Sequence, residues 1–243
     1  VALLMLTAVS AATAQSGRAV GALDTDPDAS YARPAARFIV EAPAAVDRGG
    51  IVAVTVTGRR IRAVQGELIL PQGWTVDSHG WPLAAGDNGA VWRLVFGVPS
   101  TAGVGSAELR FAIRCDDDTR VVTRPLEIRP ASFKAETIPL NGTMTELRTD
   151  PDPRKAEESR ILWELLNTTD LTARYHLGRW RMPLESFRYT SFFGDRRTYR
   201  YSDGETAGAI HNGLDMAVPT GTPIAATARG RIRMATDRIV TGG

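Results

Sequence analysis

Strand-like alternation is strongest in the stretch Ala107-Glu108-Leu109-Arg110-Phe111-Ala112-Ile113-Arg114-Cys115. Three apolar residues, Leu109, Phe111 and Ile113, alternate here with polar ones. Successive side chains of a β-strand point to opposite faces, so this pattern predicts a strand with one buried face and one face in water. Such a strand is typical of an antiparallel sheet that covers a core on one side.

The same pattern occurs on both sides of this stretch. Trp92, Leu94 and Phe96 share one face of the preceding run. Six strands are predicted in all, over residues 38–42, 51–57, 66–70, 90–96, 107–115 and 121–128. The segments between them are rich in Gly, Asn and Asp, which favour tight turns. About six short strands in this space predict an immunoglobulin-like antiparallel β-sandwich over residues 35–130, without paired cysteines.

Two features of this region resemble binding sites, and neither is assigned a role. The run Asp116-Asp117-Asp118 contains the oxygen ligands that calcium uses, but consecutive carboxylates in a hairpin turn are more typical of a solvated loop. Trp74, His79 and Trp81 lie in a Gly-rich loop that a sugar or peptide could contact. Aromatic residues that close the end of a sandwich are the more common interpretation.

The first residues have the composition of an export signal. Residues 1–14 are apolar and rich in small residues, and a polar linker over 15–34 follows them. This pattern predicts a signal peptide, with the mature chain beginning near Gln15. No other segment approaches the roughly 18 apolar residues of a membrane span. We therefore expect an exported protein that is periplasmic, extracellular or part of the cell envelope.

The overall composition is that of a globular protein. The 243 residues are 43% hydrophobic and 23% charged, enough for one large or two modest domains. The net charge is only +2 and no basic block is present, so nucleic acid is not an expected partner. Cys115 is the only cysteine, which excludes an intramolecular disulfide.

A helical connector is predicted over residues 131–172. Asp152 followed by Pro153 is a typical helix start, and the helix is predicted over 153–167. Its apolar stripe consists of Ile161, Leu162, Leu165 and Leu166. A stripe this short indicates packing on the same protein more often than a partner-binding face. We interpret the helix as a strut between two domains.

The residues with the clearest chemistry come last, in the run Ile210-His211-Asn212-Gly213-Leu214-Asp215. Imidazole and carboxylate both bind zinc at about 2 Å, so His211 and Asp215 are predicted metal ligands. Asn212-Gly213 argues against a helix, and a straight strand would separate the two Cα atoms by about 13 Å. The backbone must therefore bend. We expect Gly213 to permit a bulge or a positive φ without binding metal.

The motifs of this region together resemble a lysostaphin-type (LytM-like) zinc endopeptidase domain. The matching segments, in order, are Thr190-Ser191-Phe192-Phe193-Gly194-Asp195-Arg196-Arg197, the His211 to Asp215 motif, and Pro219-Thr220-Gly221-Thr222-Pro223 with an Ala-rich turn. The resemblance covers residues 173–243 and implies the β-rich N-terminal part of that domain. It implies Zn²⁺ as cofactor, His211 and Asp215 as ligands, and glycine at position 213.

The resemblance also implies residues that the motif places later. In the family, a downstream His-x-His pair supplies the third ligand and a catalytic imidazole, but no histidine follows Asp215. His79 and His176 lie upstream, at positions that the motif does not use. No catalytic residue is therefore predicted within the chain. We expect these groups beyond Gly243, with the chain as an incomplete fragment; the alternative is a domain that has lost catalysis.

These observations together predict a mainly β, exported zinc metalloendopeptidase that hydrolyses peptide cross-links of bacterial peptidoglycan. The immunoglobulin-like domain would place it on the wall or on a cell-envelope protein. A second hypothesis is a non-catalytic LytM-like factor that binds or activates another cell-wall hydrolase. A third is an adhesion or scaffold module in which the spacing of His211 and Asp215 is accidental, which the surrounding motifs argue against.

Overall fold

The computed structural model describes residues 38–83, 89–116, 118–168, 170 and 180–239 in full, and residues 2–7 and 84–86 by their backbone. The described chain is mainly β. Its strands are β1 Ala2–Thr7, β2 Ile39–Glu41, β3 Ala45–Asp47, β4 Ile51–Gly58, β5 Ala63–Ile69, β6 Thr75–His79, β7 Trp81–Gly86, β8 Gly89–Gly97, β9 Gly105–Arg114, β10 Thr119–Arg129, β11 Ala135–Pro139, β12 Arg188–Ser191, β13 Arg196–Arg200, β14 Thr206–Ile210 and β15 Gly213–Val218. Its helices are α1 Gly142–Thr149 and α2 Pro153–Leu166, and neither is long and apolar enough to cross a membrane.

The chain divides into two compact units. One consists of Ala11–Ala131, and the other of Val1–Ser10 together with Ser132–Gly243. The first unit holds strands β2 to β10 and the second holds the remaining elements.

The first unit is a β-sandwich. One sheet has the strand order β3-β10-β9-β5-β6, and the other has the order β2-β4-β8-β7. Side chains of both sheets form one core, in which Leu94, Phe96, Leu109 and Phe111 are fully buried. The rings of Phe96 and Phe111 meet edge to face, with 6.3 Å between their centroids. The alternation read in β8 and β9 therefore corresponds to the inner faces of two packed sheets.

Three strands of the sandwich were absent from the sequence prediction. β3, β6 and β7 add to the six predicted strands, and β3 pairs parallel with β10, which corrects the purely antiparallel expectation. The predicted Gly-rich loop at His79 and Trp81 is wrong, since these residues lie in β6 and β7. Val76 and Ser78 are buried in β6, but its flanking polar residues hide that alternation in the sequence.

The predicted signal peptide is described only in part. β1 pairs antiparallel with β15 over its whole length, from Ala2 opposite Val218 to Thr7 opposite Gly213. The predicted cleavage site and the whole linker over 15–34 lie outside the described residues. The signal peptide therefore stays a prediction.

The second unit contains two three-stranded sheets. Their strand orders are β1-β15-β12 and β11-β13-β14. Leu184, Met216 and Val218 form a small core on one side of β15, with Phe187 and Leu214 packed against it. β14 and the strand that follows it, β15, thus belong to different sheets. The chain crosses from one sheet to the other at residues 211–212.

The segment predicted as a connector belongs to this second unit. β11 pairs parallel with β13, which makes residues 135–139 part of a sheet and not of a free strut. α1 packs on the same sheet, where the guanidinium carbon of Arg148 lies 3.7 Å from the ring centroid of Tyr199. α2 spans Pro153–Leu166, close to the predicted helix over 153–167. Asp152 caps its start, because the Asp152 side chain accepts a hydrogen bond from the Arg154 N–H. The short alternation of β11 was too weak to predict a strand.

Candidate metal centre

His211 and Asp215 meet where the chain passes from one sheet to the other. His211 follows β14, whereas Asp215 is the third residue of β15. Within β15, alternation places Leu214, Met216 and Val218 toward the small core and Asp215 on the opposite face. The sheet crossing supplies the bend that the sequence required. A straight strand would have kept the two side chains about 13 Å apart.

The two predicted ligands present their side-chain atoms to each other. Nε2 of His211 lies 3.2 Å from Oδ1 of Asp215. The residues are 8% and 3% exposed, and neither of these two atoms has a hydrogen-bond partner. Burying a polar atom without a partner costs about 1–3 kcal/mol, so two such atoms side by side call for a shared partner.

The distance suits a cation bound by both atoms. Two ligand atoms at about 2.0–2.1 Å from a tetrahedral zinc ion are roughly 3.3 Å apart. The observed 3.2 Å matches that edge. A neutral imidazole nitrogen and a carboxylate oxygen are both ordinary zinc ligands. The residues present therefore fit two positions of a zinc site.

The turn between β12 and β13 holds His211 in place. The Gly194 N–H donates to the His211 carbonyl oxygen at 2.7 Å, and the His211 N–H donates to the Asp195 carbonyl oxygen at 2.8 Å. The Asp195 carboxylate in turn accepts from the Phe192 N–H at 2.9 Å and from the Ser191 hydroxyl at 3.3 Å. This explains why a motif some fifteen residues earlier belongs to the same site.

The glycine that shapes the site is Gly194, and not Gly213. Gly194 has φ +88°, and a Cβ atom there would lie 2.3 Å from the Phe133 ring. Gly213 does not have a positive φ and simply begins β15, so the expected positive φ there is wrong. The irregular pairing lies in the neighbouring strand, β12. There Tyr189 is opposite Met216 and Ser191 is opposite Asp215, so that Thr190 is an extra residue between them. Sequence reasoning placed the distortion on the wrong strand.

An arginine that the motif contains, without a predicted role, faces the second oxygen of Asp215. Nη2 of Arg197 lies 3.6 Å from Oδ2 of Asp215, and its Nε lies 3.5 Å from Oε1 of Glu136. Burial is the largest influence on the pKa of Arg197 and lowers it, but Tyr199 and the two carboxylates together raise it above the ordinary arginine value. The Arg197 side chain is therefore a permanent positive charge at this site.

The other sequence candidates add no ligand to this pair within the described residues. Among the described residues, no group of three or more His, Cys, Asp or Glu side chains is placed to hold one metal ion. His79 is in the other unit, and His176 lies outside the described residues. In the acidic turn, Asp116 pairs with Arg62 and Asp118 with Arg120, while position 117 is not described. The two described carboxylates of that turn are therefore paired with arginines.

Exposed aromatic side chains lie on and next to β12, the strand that pairs with β15. Tyr189 is 44% and Phe192 52% exposed, and their ring centroids are 5.3 Å apart. Phe187 meets Tyr189 edge to face at 4.8 Å. Tyr189 and Phe192 lie within two residues of Ser191, which is opposite Asp215 in the sheet, and Tyr189 itself is opposite Met216.

Comparisons with known proteins give little. No protein family and no curated protein matches the chain. Three solved structures show weak similarity: the sulfur carrier protein SoxY from Chlorobium limicola f thiosulfatophilum (16% identity, 38% of this chain and 78% of that one, TM-score 0.21), a CARDB domain from Pyrococcus furiosus (13%, 44% and 100%, TM-score 0.25) and a family 123 glycoside hydrolase from Clostridium perfringens (9%, 68% and 39%, TM-score 0.23). Similarities at this level support no conclusion about this chain.

Proposed function

We propose that the chain belongs to an exported zinc metalloendopeptidase that hydrolyses peptide cross-links of bacterial peptidoglycan. The observation that carries the proposal is the pair formed by His211 Nε2 and Asp215 Oδ1, buried, without hydrogen-bond partners and 3.2 Å apart. The reaction class and the substrate come from the resemblance of the surrounding motifs to LytM-like endopeptidases. The bound ion would be held by His211 and Asp215.

The chemistry of peptide hydrolysis agrees with such a centre. When bound, zinc lowers the pKa of a coordinated water toward neutrality and polarises the carbonyl group of the substrate. A catalytic zinc site uses three protein ligands and leaves a fourth position open. In the family that the motifs resemble, a His-x-His pair supplies the third ligand and a catalytic imidazole. Within the described residues, the contribution of the chain is to hold two ligands in a buried, fixed arrangement.

The remaining parts of the chain have roles in the same proposal. Residues 1–14 direct export, and the immunoglobulin-like β-sandwich places the enzyme on the wall or on a cell-envelope protein. The exposed rings of Tyr189 and Phe192, on and next to the strand that pairs with β15, give an apolar surface that a cross-linking peptide or glycan can contact.

The same resemblance allows a second function. The described residues bring together two potential zinc ligands. A LytM-like factor without catalysis, which binds or activates another cell-wall hydrolase, needs no complete zinc centre. In that case the unpartnered pair would be a retained structural feature.

Hydrolysis by the complete gene product distinguishes the two functions. We expect the zinc-loaded protein to release soluble fragments from dye-labelled peptidoglycan, and the His211→Ala variant to release none. His79→Ala, a substitution in the sandwich unit, serves as the matched control and should keep full activity. If the wild-type protein binds zinc but releases no fragments, the enzymatic proposal fails. Stimulation of a purified cell-wall hydrolase by the same preparation would then support the regulatory function.

A further inference from the structure

We propose that Arg197 is a positioning residue that fixes the orientation of Asp215, so that one carboxylate oxygen stays free beside His211. The inference deepens the proposed metal centre and, for its metal-binding arm, rests on it. The two oxygens of Asp215 have different surroundings. Oδ1 faces His211 Nε2 and has no hydrogen-bond partner, whereas Oδ2 faces the Arg197 guanidinium.

The sheet register places Arg197 where it can do this. In the sheet β11-β13-β14, Arg197 lies between Glu136 on one side and Ala209 on the other. Residues opposite each other share a face of the sheet. Ala209 is two residues before His211, so the small side chain opposite Arg197 leaves room toward the crossing where His211 and Asp215 meet.

Glu136 lies at the other end of the guanidinium. Its Oε1 is 3.5 Å from Arg197 Nε, a charge contact without a hydrogen bond, while Nη2 lies 3.6 Å from Asp215 Oδ2. The arginine side chain is 20% exposed and the Asp215 side chain 5% exposed, so the contact with Asp215 is little screened by water. The rigid, planar guanidinium of an arginine between two carboxylates fixes their orientation better than the flexible ammonium of a lysine would.

The contact is a charge interaction and not a tight bidentate pair. At 3.6 Å, the guanidinium neutralises the buried carboxylate while leaving Oδ1 without a hydrogen bond. A closer pair that used both oxygens would compete with a metal for the same lone pairs. The arrangement therefore keeps Asp215 oriented and available through one oxygen, and keeping a metal ligand oriented is the role of an outer partner.

The first arm of the test measures zinc affinity of the purified chain by competition with a chromophoric chelator. We expect Arg197→Met to weaken binding by about 10–100-fold, the usual effect of losing an outer partner of a ligand. Arg197→Lys should recover part of this loss because it restores the charge without the planar guanidinium. Arg200→Met, which removes an exposed arginine from the same strand, is the control and should bind as the wild type does. Provided that His211→Ala weakens zinc binding, equal affinity of Arg197→Met and the wild type would overturn the proposal.

The second arm needs no metal. Urea unfolding of Arg197→Met, Asp215→Asn and the double variant without metal measures the coupling between the two side chains. We expect the coupling to change the unfolding equilibrium constant by about tenfold or more, since Arg197→Met leaves the buried Asp215 carboxylate without its positive partner. Additive effects would refute the positioning role. If the wild type and His211→Ala bind zinc equally weakly while the coupling is present, the metal centre fails and the positioning of Asp215 by Arg197 stands.

Discussion

Gly194 and His211 are joined by a main-chain hydrogen bond of 2.7 Å, from the N–H of Gly194 to the carbonyl oxygen of His211. The bond connects the turn after β12 to the residue at which the chain changes sheets. Together with the return bond from the His211 N–H to Asp195, it fixes the backbone that carries the first predicted ligand. The geometry of the His211–Asp215 pair thus depends on a turn that contributes no ligand.

Replacing Gly194 by alanine should disturb this arrangement. Its φ of +88° is unfavourable for alanine, and the added Cβ would lie 2.3 Å from Phe133 ring atoms. We expect the second unit to lose more than about 1 kcal/mol of unfolding free energy, measured by urea denaturation. Gly208→Ala is the control, because nothing lies within 4 Å of its Cβ position and its φ is not positive. An equal loss in both variants would argue against a special role of Gly194.

Of His211 and His79, we expect only His211 to bind zinc. On addition of zinc, we expect the side-chain NMR signals of His211 to shift while those of His79 stay unchanged. Asp215→Ala should abolish that shift, because one imidazole alone holds zinc weakly. His79→Ala should leave it intact. A zinc-dependent shift of His211 that persists in Asp215→Ala would remove Asp215 from the ligand set.

The alternation in β8 predicts opposite effects for two adjacent residues. Phe96 is fully buried between the sheets, whereas Val95 is 39% exposed. We expect Phe96→Ala to cost about 3–5 kcal/mol of unfolding free energy, through lost burial and the cavity left behind. Val95→Ala should cost less than about 1 kcal/mol. Chemical denaturation of both variants checks this, and similar losses would contradict the register of β8.

The Asp152 carboxylate, which caps the start of α2, should become protonated only in strong acid. The Arg154 side chain and N–H both donate to the Asp152 carboxylate, and its pKa falls from 3.8 to about 2. A lowered carboxylate pKa adds stability that is complete above about pH 4 and is lost as the pH falls toward 2. The amide proton shift of Arg154 should follow this transition, with its midpoint near pH 2. Asp152→Asn keeps an acceptor at the cap but lacks the charge, so its spectrum should stay flat over the same range.

The sequence predicted those elements whose signal is local. Asp152 and Pro153 marked the start of α2, and apolar alternation marked the strands of the sandwich core. β6 and β11 were not predicted, because short strands with polar outer residues have little pattern of their own and form through their neighbours. Likewise, the need for a bend between His211 and Asp215 followed from distance alone, but its place did not.

What the sequence determined by itself is therefore a mainly β chain and a pair of metal-binding residue types four positions apart. Only the tertiary structure decided that the pair is buried, that its facing atoms are 3.2 Å apart and that Arg197 stands behind Asp215. The reason is physical: alternation is a property of one strand, whereas the site arises where β14 and β15 belong to different sheets. Contacts between sheets depend on register and on turns such as the one at Gly194, which no local pattern encodes.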